Sequence, residues 1–474
     1  MNQVPERVEA SAGQLLLGRG EMGRLRYALW GLGLTLVKWN LDRLVGAPLL
    51  GLPERLDYRA LAQMYLWQSM PSGVEREGLL WMLAASLPFL FAGVMFTLGR
   101  LRSAGVAAGW VLLFFVPAVK ILFFVLMSGM PRRFRSQEPT KESGWLRWMP
   151  HSAWGAAGAA VVLTTIFALL TTAFAVRVAE VYGWALFVGT PFALGFVSTL
   201  LFTAREPRSL MACLWVTGMA MVLAGGGLLL FAMEGAVCLL MAAPLAVAIG
   251  MVGTAAAWGI RQSWHGNAWS LFPAGLVAVA LPGTMGVEGW MEPVSPLRPV
   301  RTEVVVAAPP EVVWKHVVSF SELPPPDEFL FRIGLAYPVR AEMLGSGEGA
   351  VRRCHFSTGP FVEPITVWDE PHRLAFRVES NPAPMQEWTP YDDIHPPHLD
   401  GHFVSRQGEF LLERTDSGGT RLVGTTWYEH RLWPDAYWRL WSDAIIHRIH
   451  LRVLRHVQAL SEAEISGAAG PAKR

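Results

Sequence analysis

The sequence predicts a polytopic α-helical membrane region followed by an α+β domain whose antiparallel sheet is covered by a long C-terminal helix. Three observations carry that expectation. Of the 474 residues, 52% are hydrophobic and only 16% charged, where a soluble domain averages roughly 25% charged. Apolar stretches of spanning length recur up to residue 286. Beyond Trp290 the composition turns polar and alternating, and ten of the twelve histidines fall between His316 and His456.

A helix needs about 20 mostly apolar residues to cross the hydrocarbon core. Eight stretches qualify or nearly do, at 27–46, 79–98, 105–129, 153–176, 183–203, 210–232, 236–258 and 268–286. The clearest are "SAWGAAGAAVVLTTIFALLTTAFAV" and "GAVCLLMAAPLAVAIGMVGTAAAWGI". Both are rich in Gly, Ala, Ser and Thr, the small residues that let membrane helices approach closely. A mean hydropathy of +0.32 agrees. The opening "MNQVPERVEASAGQ" has neither the short apolar core nor the cleavage site of a signal peptide. The expected organisation is a first membrane region (1–130), a basic loop (131–150), a second membrane region (151–290), a linker (291–300), the α+β domain (301–463) and a tail (464–474).

Basic residues orient such a protein. They cluster at Arg19, Arg24 and Arg26, at Arg100 and Arg102, between Arg132 and Arg147, at Arg205 and Arg208, and at Arg261. Eight crossings would put the basic 131–150 loop on the opposite side from the N-terminus. The third stretch, however, carries Pro117 and Lys120 at its centre, where a helix break and a charge are both costly. If it re-enters rather than crosses, seven crossings remain and the C-terminal domain lies outside the cytoplasm. Apart from Lys120, Lys38 is the only clear ionisable residue within the stretches; it sits near Asp42 and Arg43 toward a helix end, and snorkelling to the interface accounts for it better than an ion path does.

The stretches "GRGEMGRLRYALW" and "LGRLRSAGVAAGW" resemble the corresponding parts of a family of small bacterial inner-membrane proteins of unknown function. That resemblance implies a bacterial inner membrane and brings no chemistry with it.

After the linker "MEPVSPLRPV", a β-rich run at 301–308 is followed by a helix at 309–320, which opens on proline where a missing N–H costs least. A second short helix at 326–334 ends at glycine. Six strands are then expected, at 338–344, 349–357, 361–368, 373–380, 403–413 and 420–430, with "TDSGGT" as a hairpin loop. A helix at 434–463 closes the domain. A sheet of this size must bury one face, and only the last helix is long enough to cover it.

This order, with "VVVAAPPEVVW", "GSGEGAVRRCHF", "WDEPHRLAFRV" and "GTRLVGTTWY", resembles the START-like helix-grip superfamily of polyketide cyclases, plant allergens and lipid-transfer domains. The resemblance covers residues 300–462. It implies a curved sheet gripping the last helix around an apolar cavity, hence a lipid or other hydrophobic ligand. The superfamily mixes carriers with enzymes, so fold alone assigns no reaction.

Candidate polar groups follow from position. On the last helix Asp443, His447 and His450 fall between two apolar stripes, so they need partners. The simplest is a hydrogen bond between Asp443 and His447, four residues apart. Trp441 lies on an apolar stripe, while Arg448, Arg452 and Arg455 form a solvent face. On strands, Glu363, Trp427 and Glu429 are further candidates for the ligand site. Glu429 and His430 must face opposite ways, as must Arg352 and Arg353.

The proline-rich insertion 381–402 contains "IHPPHLDGHF". It reads first as a stiff lid edge, second as a ligand contact, and third as a metal site built from His395, His398, Asp400 and His402, whose ligand types suit zinc, iron or nickel. No nucleotide-binding or nucleophile-elbow motif is present. Cys213, Cys238 and Cys354 stand far apart and imply no disulfide framework. A net charge of +2 gives no nucleic-acid footprint. The sequence thus predicts a membrane-anchored domain binding a lipid or hydrophobic small molecule. The alternatives are a membrane-tethered enzyme of cyclase or hydrolase type, with or without a divalent metal, and a ligand-sensing membrane protein.

Overall fold

The computed structural model describes residues 11–16, 20–43, 76–106, 108–115, 119–131, 149–263, 272–291, 295–389, 391, 396–399 and 401–468. Two compact units divide the chain. One comprises Met1–Phe231 with Ala242–Val294, the other Ala232–Met241 with Ser295–Arg474.

The helices of the first part of the chain are α1 (Ala12–Leu16), α2 (Arg24–Leu41), α3 (Arg76–Ala104), α4 (Val119–Gly129), α5 (Ala153–Arg177), α6 (Thr190–Phe202, entered through a π-turn over Ala185–Gly189), α7 (Leu210–Leu230), α8 (Ala236–Ser263) and α9 (Phe272–Met291). Among the described residues four are long and apolar enough to cross a membrane: Ala153–Arg177, Ala185–Phe202, Leu210–Leu230 and Ala236–Gly259. The third expected stretch is a 3-10 helix over Ala108–Phe115 and the separate α4, with 116–118, and so Pro117, outside the described residues. At 1.5 Å per residue α4 reaches only about 16 Å, half the thickness of a hydrocarbon core.

Small residues set the packing of the first unit. A Cβ placed on Gly195 of α6 would lie 2.0 Å from the Gly250 carbonyl oxygen of α8, and one on Gly253 would lie 2.2 Å from the Phe192 carbonyl oxygen. The two backbones therefore touch directly. Buried hydroxyls tie in α7: Ser198 and Thr217 are 2.9 Å apart, and Thr217 and Thr254 2.7 Å apart. Each hydroxyl satisfies another where no water is at hand.

In the second unit β1 (Arg298–Val306) leads into α10 (Pro310–Val318) and α11 (Phe329–Arg332). Then come β2 (Pro338–Leu344), β3 (Val351–Phe356), β4 (Gly359–Asp369), β5 (Arg373–Arg377), β6 (Phe403–Arg414), β7 (Thr420–His430) and α12 (Asp435–Ala468). Every strand pairing is antiparallel, in the order β1-β7-β6-β5-β4-β3-β2. This is the expected seven-stranded sheet with its long terminal helix, and α12 runs five residues past the expected end at 463. Residues 469–474 lie outside the described residues.

One end of the domain is a solid core. Val313, Trp314 and Val317 of α10 pack with Val306, Leu374, Leu412 and Leu422 of the sheet and with Leu454 and Val457 of α12, all 3% exposed or less. The 3- and 4-residue spacing on α10 and the alternation along the strands bring these side chains to one layer. The other end is not filled, and there the functional groups collect.

Candidate functional site

Between the sheet and α12 lies a cavity of about 170 Å³. Trp438, Trp441, Ile445, Ile449 and Val453 of α12 form one wall, and Phe356, Phe361, Phe376 and Phe410 of the strands form the other. Gly408 makes room for the Phe376 ring, since a Cβ there would lie 2.5 Å from its Cζ.

One ion pair faces this apolar lining. β3 alternates so that Arg352 and Cys354 are buried while Arg353 is exposed. Register sets Arg352 opposite Glu363 of β4, and the Arg352 Nη1 donates to Glu363 Oε2. Their side chains are only 2% and 8% exposed. The guanidinium carbon sits 5.6, 5.6 and 5.5 Å from the ring centroids of Phe320, Phe376 and Phe410, a threefold cation–π setting. Arg352 Nε has no hydrogen-bond partner among the described residues.

Burial pushes the Glu363 carboxyl above its ordinary range, and the facing Arg352 only partly opposes this. Arginine does not give up its proton in proteins. The Cys354 thiol beside them is pushed up to about 12, chiefly by burial, so it is a neutral packing group and not a thiolate nucleophile. Buried charge of this kind needs compensation, and the Nε–H is a donor still to be matched.

The polar groups expected on the last helix divide. His450 lines the cavity, with Nε2 2.7 Å from Thr426 Oγ1 and Nδ1 3.1 Å from Thr302 Oγ1. Burial, and then the neighbouring His447, lower its pKa to about 4. His447 itself is exposed and its Nδ1 meets Thr302 Oγ1 at 2.8 Å. Asp443 does not pair with His447. It accepts from the Tyr428 hydroxyl at 2.6 Å and from Arg439 Nε at 3.1 Å. The helix-local pair loses to strand partners because β1 and β7 lie against this face of α12 and offer hydroxyls to both side chains. Arg452 is not a purely solvent group either, since its Nε donates to the Pro338 carbonyl at 3.2 Å.

Trp441 and Glu363 line the cavity, whereas Trp427 and Glu429 do not. Gly424, Thr426 and Tyr428 face inward, so Trp427 and Glu429 fall on the outer face of β7, where Glu429 accepts from Arg406 Nε at 3.0 Å. Sequence reading gave Arg352 little weight. The missed signal is the two-residue turn Ser357–Thr358, which joins Phe356 to Gly359 and so places Arg352 against Glu363.

The insertion forms the cavity rim through Asn381, Pro382, Ala383, Pro384, Met385 and His398. It is fastened at several points. Asn381 bonds both ways with the Ser405 backbone, at 2.9 and 3.2 Å, and the Gln386 N–H donates to the Gly334 carbonyl at 2.8 Å. Of the expected metal ligands, His395 and Asp400 lie outside the described residues. His398 is buried on a short 3-10 turn, Pro397–Leu399. The His402 carbonyl accepts from the Arg431 N–H at 2.7 Å.

An antiparallel sheet wrapped on a C-terminal helix over an apolar cavity is the START-like helix-grip architecture. Residues 299–427 match the sequence model of the family described as polyketide cyclase / dehydrase and lipid transport, and the C-terminal domain has the helix-grip fold. Among solved structures the chain is similar to the Zhui aromatase/cyclase from Streptomyces sp. R1128, at 23% identity over 37% of this chain and 100% of that one, TM-score 0.26. It is also similar to a protein from Nitrosospira multiformis, at 15% identity over 36% and 99% with TM-score 0.24. A norcoclaurine synthase from Thalictrum flavum is similar at 12% identity over 36% and 98%, TM-score 0.24. No curated protein matches the chain.

Proposed function

We propose that the protein is a bacterial inner-membrane protein whose START-like domain binds a hydrophobic small molecule bearing one polar or anionic acceptor group. The observation that carries this reading is Arg352, a cation buried among three aromatic rings with an unmatched Nε–H on the lining of an apolar cavity. Aromatic walls supply affinity without direction, and a charge-assisted hydrogen bond supplies orientation. A cavity of about 150 Å³ holds a benzene, so the 170 Å³ here accepts a single ring as it stands, and a ligand of a few hundred daltons requires the rim to move outward. Asp443 and His447 are engaged in holding α12 to β1 and β7, which supports binding over acid–base catalysis.

The membrane reading rests on side chains that a soluble domain would bury. Val162, Leu163, Ile166 and Leu170 of α5 are 49–65% exposed. Trp215, Met219, Val222 and Leu223 of α7 are exposed by 50–74%. An apolar surface this continuous calls for lipid. With seven crossings the START-like domain is periplasmic. An alkaline phosphatase fused after Arg474 is then expected to be active, and a reporter that works only in the cytoplasm silent; the reverse result would place the domain in the cytoplasm.

Native mass spectrometry of the full chain tests the ligand reading. The wild type is expected to carry an adduct of on the order of a few hundred daltons, the mass range of ligands that such pockets hold. The adduct should be removable by organic solvent, absent from Ile449→Trp, which fills the cavity, and depleted in Arg352→Met. A bare wild-type mass, or an adduct indifferent to both substitutions, would sink the proposal.

A further inference from the structure

A second cluster of chemistry-bearing side chains lies in the same unit, built from residues that the ligand reading does not use for polar contacts. Glu234 and Cys238 come from Ala232–Met241, Glu387 from the insertion, and His398 from the 3-10 turn. His398 Nε2 is 2.8 Å from Cys238 Sγ, and His398 Nδ1 is 3.4 Å from Glu234 Oε2. Ligand atoms of Glu234, Cys238 and His398 all lie within 4.8 Å of one another.

Glu387 lies beside the Cys238 thiol. Its carboxylate rests on the bare backbone of Gly235, where a Cβ would lie 1.9 Å from Oε2. That oxygen accepts from the Val237 N–H at 3.3 Å, and the Ala236 N–H donates to the Trp388 carbonyl at 3.0 Å. The residue is only 8% exposed, yet its Oε1 has no hydrogen-bond partner among the described residues. Burial raises the Glu387 pKa, opposed in part by contacts that include the Cys238 thiol.

The chemistry of this donor set is specific. A thiol and two carboxylates gathered away from water repel one another once ionised, and a neutral imidazole beside them offers a lone pair and no charge. A divalent cation among them attracts each anion and the imidazole lone pair, and so outweighs that repulsion. Thiolate with imidazole and carboxylate is a donor set for zinc and its neighbours, whereas calcium and magnesium take oxygen alone. Metal–ligand bonds of about 2.0–2.3 Å place tetrahedral ligand atoms about 3.5 Å apart, so small side-chain rotations convert the present spacing into a coordination shell.

We propose that Cys238 and His398, with the carboxylates of Glu234 and Glu387, form a zinc-type divalent metal site. The site is distinct from the histidine set legible in the insertion alone, because two of its four donors come from some 160 residues earlier in the chain. It does not depend on the Arg352 cavity reading: loss of the hydrophobic adduct would leave it standing.

The test is titration of the full-length, tag-free protein with Co2+ after chelation. One equivalent is expected to bind, with a near-ultraviolet thiolate-to-cobalt charge-transfer band that Zn2+ displaces. Cys238→Ser should abolish the band. His398→Ala, Glu234→Gln and Glu387→Gln should each weaken Co2+ binding by roughly 10- to 100-fold or more, and His372→Ala, on an exposed histidine elsewhere, should leave it unchanged. Failure of the wild type to take up Co2+ saturably would overturn the proposal without any variant having to fold. So would a band that survives Cys238→Ser, or a wild-type Cys238 that alkylates rapidly while binding no metal, which would mark it as a nucleophile instead.

Discussion

Glu363→Ala is expected to destabilise the START-like domain by about 3–5 kcal/mol, because it strands a buried cation. In a domain of this size that lowers Tm by on the order of 10 °C. The partner substitution should cost less. Arg352→Met leaves a carboxyl whose pKa burial already raises, and a proton can neutralise it, so the penalty falls toward the about 1–3 kcal/mol of an unsatisfied polar group. Glu363→Ala has no such escape, since guanidinium keeps its charge. Replacing both by apolar residues of similar volume removes the stranded charge as well as the pair, and stability should return to within about 1–2 kcal/mol of the wild type. Thermal unfolding of the three variants measures the asymmetry. Equal losses from the two single substitutions would mean that the pair is hydrated and not set among Phe320, Phe376 and Phe410.

Acidification should weaken the fold through His450 by about 2–3 kcal/mol. The ring titrates near 6.5 when unfolded and at about 4 in the folded domain. Between those values the unfolded chain binds the proton and the folded one does not, so stability rises with pH. The contribution is complete above about pH 6.5 and is lost as the pH falls toward about 4. Thr302, Thr426 and His447 are the polar groups around the ring among the described residues. Glu363 works the other way, since a raised carboxyl pKa favours the folded state as pH falls. The informative quantity is therefore the difference between the wild type and His450→Gln, whose amide can still bond both threonines. The variant should show a flatter stability profile from pH 6.5 to 4. Parallel profiles would show that His450 is solvated.

Much of the C-terminal fold was legible because its signals are periodic and local. Alternation along β3, β6 and β7, the proline opening α10 and the stripe of α12 from Trp438 to Val457 each survive in the structure within a few residues, whereas Leu440 of the second stripe is 71% exposed. The polar site was harder to read. Trp427 and Glu429 look like ligand contacts until the inward set of β7 is fixed by Gly424, Thr426 and Tyr428. Asp443 and His447 look like partners until β1 and β7 bring Thr302 and Tyr428 to them. Arg352 could have been found from the tight turn before Gly359. Cys238 beside His398 could not, since no local pattern ties them together.

The pairing of β1 with β7 has a consequence for biosynthesis. Arg298 pairs with Tyr428 and Val306 with Thr420, so the first strand made must wait for the last. At about 5–20 residues per second that interval is roughly 6–25 s, during which the apolar run Val304–Val306 has no strand to join. Long-range pairing of this kind is slow even for a complete chain. The period when β1 has left the ribosome and β7 has not is the point at which a holding chaperone would act, and at which a premature stop before residue 420 yields an aggregating fragment and not a smaller domain.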